Sequence, residues 1–75
     1  MRQRKVDGPA VQRAREDAGY TQVALAAKLR VDRSAIAQWE SGYTQPSASN
    51  FKALCAALKV RRDALLLVAD DAQVV

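Results

Sequence analysis

Three residues, Arg30-Val31-Asp32, are all that separate two stretches whose apolar positions recur at helical spacing. The chain must therefore fold around two short helices that meet at a tight turn. Before the link, Thr21 suits an N-cap and Leu25, Ala26 and Leu29 share one face, which predicts a helix over about 22–29. After it, Asp32 suits the cap of a helix from Arg33 to about Ser41. Gly42 then supplies the left-handed residue that ends that helix.

The rest of the chain reads in the same way. Pro9 follows Asp7-Gly8 at a natural first-turn position, and Val11, Ala14 and Ala18 recur until Gly19, predicting a first helix over 9–18. Tyr43 to Pro46 reads as a loop. Ser47 then caps a helix whose Phe51, Leu54, Cys55 and Leu58 fall on one face. Val60 returns to the core, and the leucines of Arg62 to Val68 predict a last helix. No segment alternates as a strand would, so the expected fold class is all-α with five short helices. The expected division is a flexible basic arm over 1–8, a domain over 9–68 and a short tail over 69–75.

Composition narrows the function classes. A chain of 75 residues has room for one domain, and a deep enzymatic cleft is not expected of it. It contains no His and a single Cys, so the usual general base, a zinc cluster and a disulfide are all missing. An enzyme, a metal site and a cofactor are therefore not expected. No apolar run approaches the ~20 residues of a membrane span, and the reading is of a cytoplasmic protein. The net charge of +4 suits a polyanionic partner without requiring one.

The surface of the third helix carries the functional signal. At about 100° per residue, Arg33, Ser34, Ala37 and Gln38 fall on one side, and Ala35, Ile36 and Trp39 on the other. One side packs and the other is left for a partner. Arg can donate two hydrogen bonds to guanine, and Gln can pair bidentately with adenine in the major groove. Ser34 can bond bases or phosphate, while the small Ala37 lets the helix sit close to base edges. A pair of helices joined by so short a link has the geometry of a helix-turn-helix, over about 21–41.

The run from Thr21 to Gly42 resembles the Cro/cI-type (XRE-family) helix-turn-helix. Its order includes Gln22, Leu25-Ala26, Leu29, Val31, Ser34, Ile36 and Trp39-Glu40 before Gly42. Downstream, Pro46-Ser47, Phe51, Leu54, Leu58, Val60 and Leu65 are similar to the family's last two helices. The resemblance implies a lambda-repressor-like domain that binds double-stranded DNA, regulates transcription as a homodimer and belongs to a bacterial or phage-type, nucleoid-associated setting.

It also implies residue roles. Arg33, Ser34, Ala37 and Gln38 match base-reading positions, and Asp32 is placed with the phosphate contacts. Gln22 matches a residue that bonds phosphate and buttresses the recognition helix. Thr44, Gln45 and Ser47, with the Tyr43 hydroxyl, match a phosphate-contacting segment. Arg15 and Glu40 match a structural ion pair between the first and third helices. Cys55 reads as a small core residue and Trp39 as packing at the core's rim.

Some positions depart from the family pattern. Arg30 stands where Gly is frequent, so either it adopts a left-handed conformation at ~1–2 kcal/mol or the turn differs. Lys59 and Arg61 likewise replace a frequent Gly and a frequent Ser/Thr. Arg2, Arg4 and Lys5 suit a DNA-contacting arm or a solubilising tail. The apolar Leu65 to Val68 and Val74-Val75 suggest a surface for a second copy, or for a protein partner through the C-terminal helix. An antitoxin and a protein-binding adaptor are the competing functions.

Overall fold

The computed structural model describes residues 5–67. The elements run α1 (Gly8–Asp17), α2 (Gln22–Leu29), α3 (Arg33–Ser41), α4 (Ala48–Leu58) and a 3-10 turn (Arg62–Leu65). No described helix is long and apolar enough to cross a membrane.

Each helix starts and stops for a local reason. The Asp7 carboxylate accepts the Ala10 N–H at 3.2 Å and Pro9 occupies the first turn, so α1 begins at Gly8. Gly19, at φ 84°, reverses the chain behind it. Thr21 Oγ1 accepts the Ala24 N–H at 3.0 Å and Ser47 Oγ accepts that of Asn50 at 3.2 Å, as their positions foretold. Asp32 does hold the N-cap position of α3, but its side chain makes no capping bond. The Ala35 N–H goes instead to the Asp32 main-chain carbonyl at 2.9 Å.

Two cationic residues take the left-handed conformation that glycine adopts freely: Arg30 at φ 62° behind α2 and Lys59 at φ 58° behind α4. The tight turn is therefore kept and Arg30 is strained within it. At Arg30 the bend lets the Val31 N–H reach the Ala26 carbonyl at 2.9 Å. Relief of the left-handed cost, less the extra freedom that glycine adds to the unfolded chain, predicts that Arg30→Gly stabilises the domain by about 0.5–1 kcal/mol. Thermal melting checks the sign; a lower midpoint would mean that the Arg30 side chain contributes more to the fold than its backbone costs.

The core draws on every element. Val11, Leu25, Ile36, Leu54 and Leu65 are fully buried, with Val6, Ala26, Trp39, Cys55 and Leu58 around them. Trp39 lies within the core. Burying each of the large aliphatic side chains stabilises the fold by about 1.5–3 kcal/mol, which is what holds so short a chain together.

Two expectations are corrected at the chain ends. Among the described residues the fifth α-helix does not form. Only Arg62–Leu65 coil, as a single 3-10 turn, because Arg61 offers no side-chain cap and Leu66 pairs antiparallel with Val6. The Leu67 N–H bonds the Lys5 carbonyl at 2.9 Å, not a carbonyl one turn back. The second correction concerns the expected arm. Val6 is buried, Asp7 caps α1 and Gly8 belongs to it, so the folded body reaches back beyond position 9. Arg2 and Arg4, and the tail from Val68 through Val74-Val75, lie outside the described residues.

Candidate nucleic-acid interface

Helix α3 divides as its spacing predicts. Ile36 and Trp39 are buried and Arg33 and Ser34 are exposed, while Ala35 of the expected packing side and Ala37 and Gln38 of the expected outward side are all half-buried. What the spacing did not show is how firmly this outward side is held.

The hold begins inside the protein. Arg15 on α1 meets Glu40 on α3 through two bonds, Nε to Oε2 at 2.6 Å and Nη2 to Oε1 at 3.2 Å. The pair is nearly enclosed, with 10% of the Arg15 side chain and 5% of the Glu40 side chain exposed. Arg15 Nη1 also donates to the Tyr20 carbonyl at 2.9 Å, tying in the turn before α2. Hydrogen bonding to Glu40, against the cost of burial, raises the Arg15 pKa further above its already high ordinary value. The forked geometry is the strong form of such a pair.

Gln22 carries this anchor outward. Its Nε2 donates to Glu40 Oε1 at 3.0 Å, and its Oε1 accepts from Arg33 Nη1 at 3.2 Å. A continuous chain of hydrogen bonds thus runs from α1 through Glu40 and Gln22 to the guanidinium at the start of α3. The Gln22 amide nitrogen carries a second hydrogen for an outside acceptor. Arg33 is left with most of its donors.

A second arrangement organises the far end of α3. Gly42, at φ 83°, turns the chain so that the Tyr43 N–H reaches the Gln38 carbonyl at 2.9 Å. Thr44 Oγ1 then donates to Gln38 Oε1 at 3.2 Å, so an expected base reader and an expected phosphate contact are bonded to each other. Tyr43 is 79% exposed and Asp32 is exposed beside Arg33. Ser47 is spent in part on capping α4.

Gln45 is exposed in the loop, and its side chain also reaches across to the start of the chain. Its Oε1 accepts the Val6 N–H at 2.8 Å, across 39 positions of sequence. No local signal marks such a bond. At the C-terminal end, Leu65 is in the core and Leu66 is half-buried, so of the expected apolar surface only Leu67 is exposed among the described residues. Among the described residues no α-helix follows α4. Burial pushes the Cys55 thiol up from its ordinary pKa, slightly offset by Arg62, as befits a core residue and not a reactive thiol.

Residues 11–65 match the helix-turn-helix family model. Among solved structures, the chain is similar to the P22 c2 repressor protein in complex with synthetic operator 9T. That match has 32% identity and a TM-score of 0.74, over 81% of this chain and 94% of that one. It is also similar to the restriction-modification controller protein C.AhdI from Aeromonas hydrophila, with 28% identity and a TM-score of 0.70 over 76% of this chain and 86% of that one. A third is SinR, the master regulator for biofilm formation, solved in complex with DNA. It shows 28% identity and a TM-score of 0.69 over 76% and 95% of the two chains. No curated protein matches the chain.

Proposed function

The chain belongs to the helix-turn-helix family, in its Cro/cI-type (XRE) branch, and from that premise we propose that it is a double-stranded DNA-binding transcriptional regulator that acts as a dimer on a palindromic operator. The observation that carries this reading is the Arg33 guanidinium, held at the start of an outward polar helix side by a chain of bonds that begins in the core. Preorganisation of this kind is what base reading requires. A side chain already fixed loses little freedom when it meets a base edge.

In this reading Arg33 donates to a guanine, Gln38 pairs with an adenine, Ser34 bonds a neighbouring edge and Ala37 touches a thymine methyl. Gln22, Tyr43 and Ser47 hold phosphates and fix register, and Thr44 joins them when its one hydroxyl hydrogen turns from Gln38 to a phosphate. Asp32 is repelled by phosphate and suits a cytosine amino group. Two copies place their α3 helices in successive major grooves about 34 Å apart. Occupancy of the operator then regulates by excluding or contacting the transcription machinery. Support comes also from the similar P22 c2 repressor, whose structure holds an operator.

Substituting Arg33→Ala tests the base-reading role. Affinity for the preferred sequence falls by about 1–3 kcal/mol, and affinity for random DNA by much less. Titrations on both DNAs at one salt concentration measure the difference, and equal losses on both would remove Arg33 from base reading.

A further inference from the structure

The two ends of the described chain clasp each other. Lys5, Val6 and Asp7 run antiparallel to Leu65, Leu66 and Leu67, with the Asp7 N–H on the Leu65 carbonyl at 2.8 Å and the Leu67 N–H on the Lys5 carbonyl at 2.9 Å. Successive N–H groups along a strand point to opposite edges, so that of Val6 points away from Leu66. Val6 is 8% exposed, and a buried N–H without an acceptor is costly. The acceptor is the Gln45 side chain at 2.8 Å. Gln45 follows directly on Thr44, whose hydroxyl bonds Gln38 of α3. The loop behind the recognition helix is therefore pinned at two points, one on α3 and one on the clasp.

We propose that Gln45 is a positioning residue for DNA binding, acting through the Val6 main chain and not by touching DNA. By holding the loop to the clasped chain ends, it sets where Tyr43 and Thr44 stand relative to the side of α3 that carries Arg33 and Gln38. The inference rests on the DNA-binding reading and adds to it a coupling between that surface and the chain ends. Anything that opens the pairing of 5–7 with 65–67 weakens DNA binding from a distance.

The test is a double-mutant cycle read by two methods. Gln45→Met keeps the side chain's length and removes the acceptor. An ester in place of the Val6 amide, introduced by chemical ligation, removes the donor and keeps the valine side chain. Circular dichroism establishes that each variant is folded at the assay temperature. In free protein, Gln45→Met speeds exchange of the Val6 amide proton by about tenfold or more, the scale of losing one protecting bond. Affinity for a DNA sequence selected by the unaltered protein weakens by about three- to tenfold. Once the Val6 donor is gone, adding Gln45→Met changes affinity by less than about twofold.

Equal losses with and without the Val6 donor would overturn the proposal, because Gln45 would then touch DNA itself. Unchanged affinity alongside a fast-exchanging Val6 amide would overturn it as well. An unaltered protein that binds no DNA would defeat the DNA-binding reading and the coupling with it, while amide exchange still reported on the Gln45–Val6 bond alone.

Discussion

Glu40→Ala is expected to cost about 3–5 kcal/mol of folding stability, because it leaves the Arg15 guanidinium enclosed with its main partner gone. Arginine cannot escape by losing its proton. What remains to it is the Tyr20 carbonyl and a long 3.9 Å approach to Glu16. Domains of this size sit near the lower end of the usual 5–15 kcal/mol range. A loss of this size drops the melting temperature by roughly 15–30 °C. Denaturant titration measures it, and a loss under about 1 kcal/mol would put the pair among weakly contributing surface bridges. Replacing both partners by apolar residues, as in Arg15→Met with Glu40→Leu, is expected to recover most of the stability. It does not recover the DNA-binding surface, because Gln22 has lost the acceptor that positions it for Arg33. Stability and affinity thus separate in the double variant, a result that a purely structural ion pair would not produce.

Gly8→Val is expected to cost about 3 kcal/mol or more, beyond the usual range for overpacking, because its obstacle is main chain. A Cβ at position 8 would stand 2.2 Å from the Glu40 carbonyl oxygen and 2.8 Å from its carbon, with the Trp39 oxygen at 3.0 Å. No rotamer relieves that contact, so α1 must move off the end of α3. The same movement pulls Arg15 from Glu40, and the two effects add. Gly8→Ala meets the same clash with fewer atoms and falls in the same direction. Equilibrium unfolding of both variants checks the size and order; a Gly8→Ala protein as stable as its parent would show that the two helices can part freely.

These two positions mark how far the sequence could be read. The caps and stops of the central helices are local signals, with Thr21, Gly42 and Ser47 each acting on a backbone group within four residues, so that α2 begins, α3 ends and α4 begins where those residues place them. The outward side of α3 followed from its period alone. Gly8, by contrast, reads locally as turn punctuation before Pro9, and only the packing of α1 on α3 shows why a side chain there is excluded. Four leucine-rich residues at 65–68 are too few to distinguish a helical period from an extended one. Leu65 is a core residue and Leu66 a strand partner of Val6, a pairing across some sixty residues that no local pattern encodes. The bond from Val6 to Gln45 was missed for the same reason. Its donor is a main-chain N–H, and main-chain donors leave no mark in a sequence.

Arg30 and Lys59 teach a related lesson. The left-handed turns that normally select glycine are kept with cationic residues in them, so the chain's path is set by the helices on either side more than by the preference of the turn residue.

Selection of bound DNA from a random pool decides whether α3 reads bases in a two-fold arrangement. The expected result is an inverted repeat of short half-sites centred about 10 base pairs apart. Substituting Arg33→Ala in the same selection should erase a guanine preference at one symmetric pair of positions. A pool that enriches no motif, or one whose motif is indifferent to Arg33, would contradict base reading by α3.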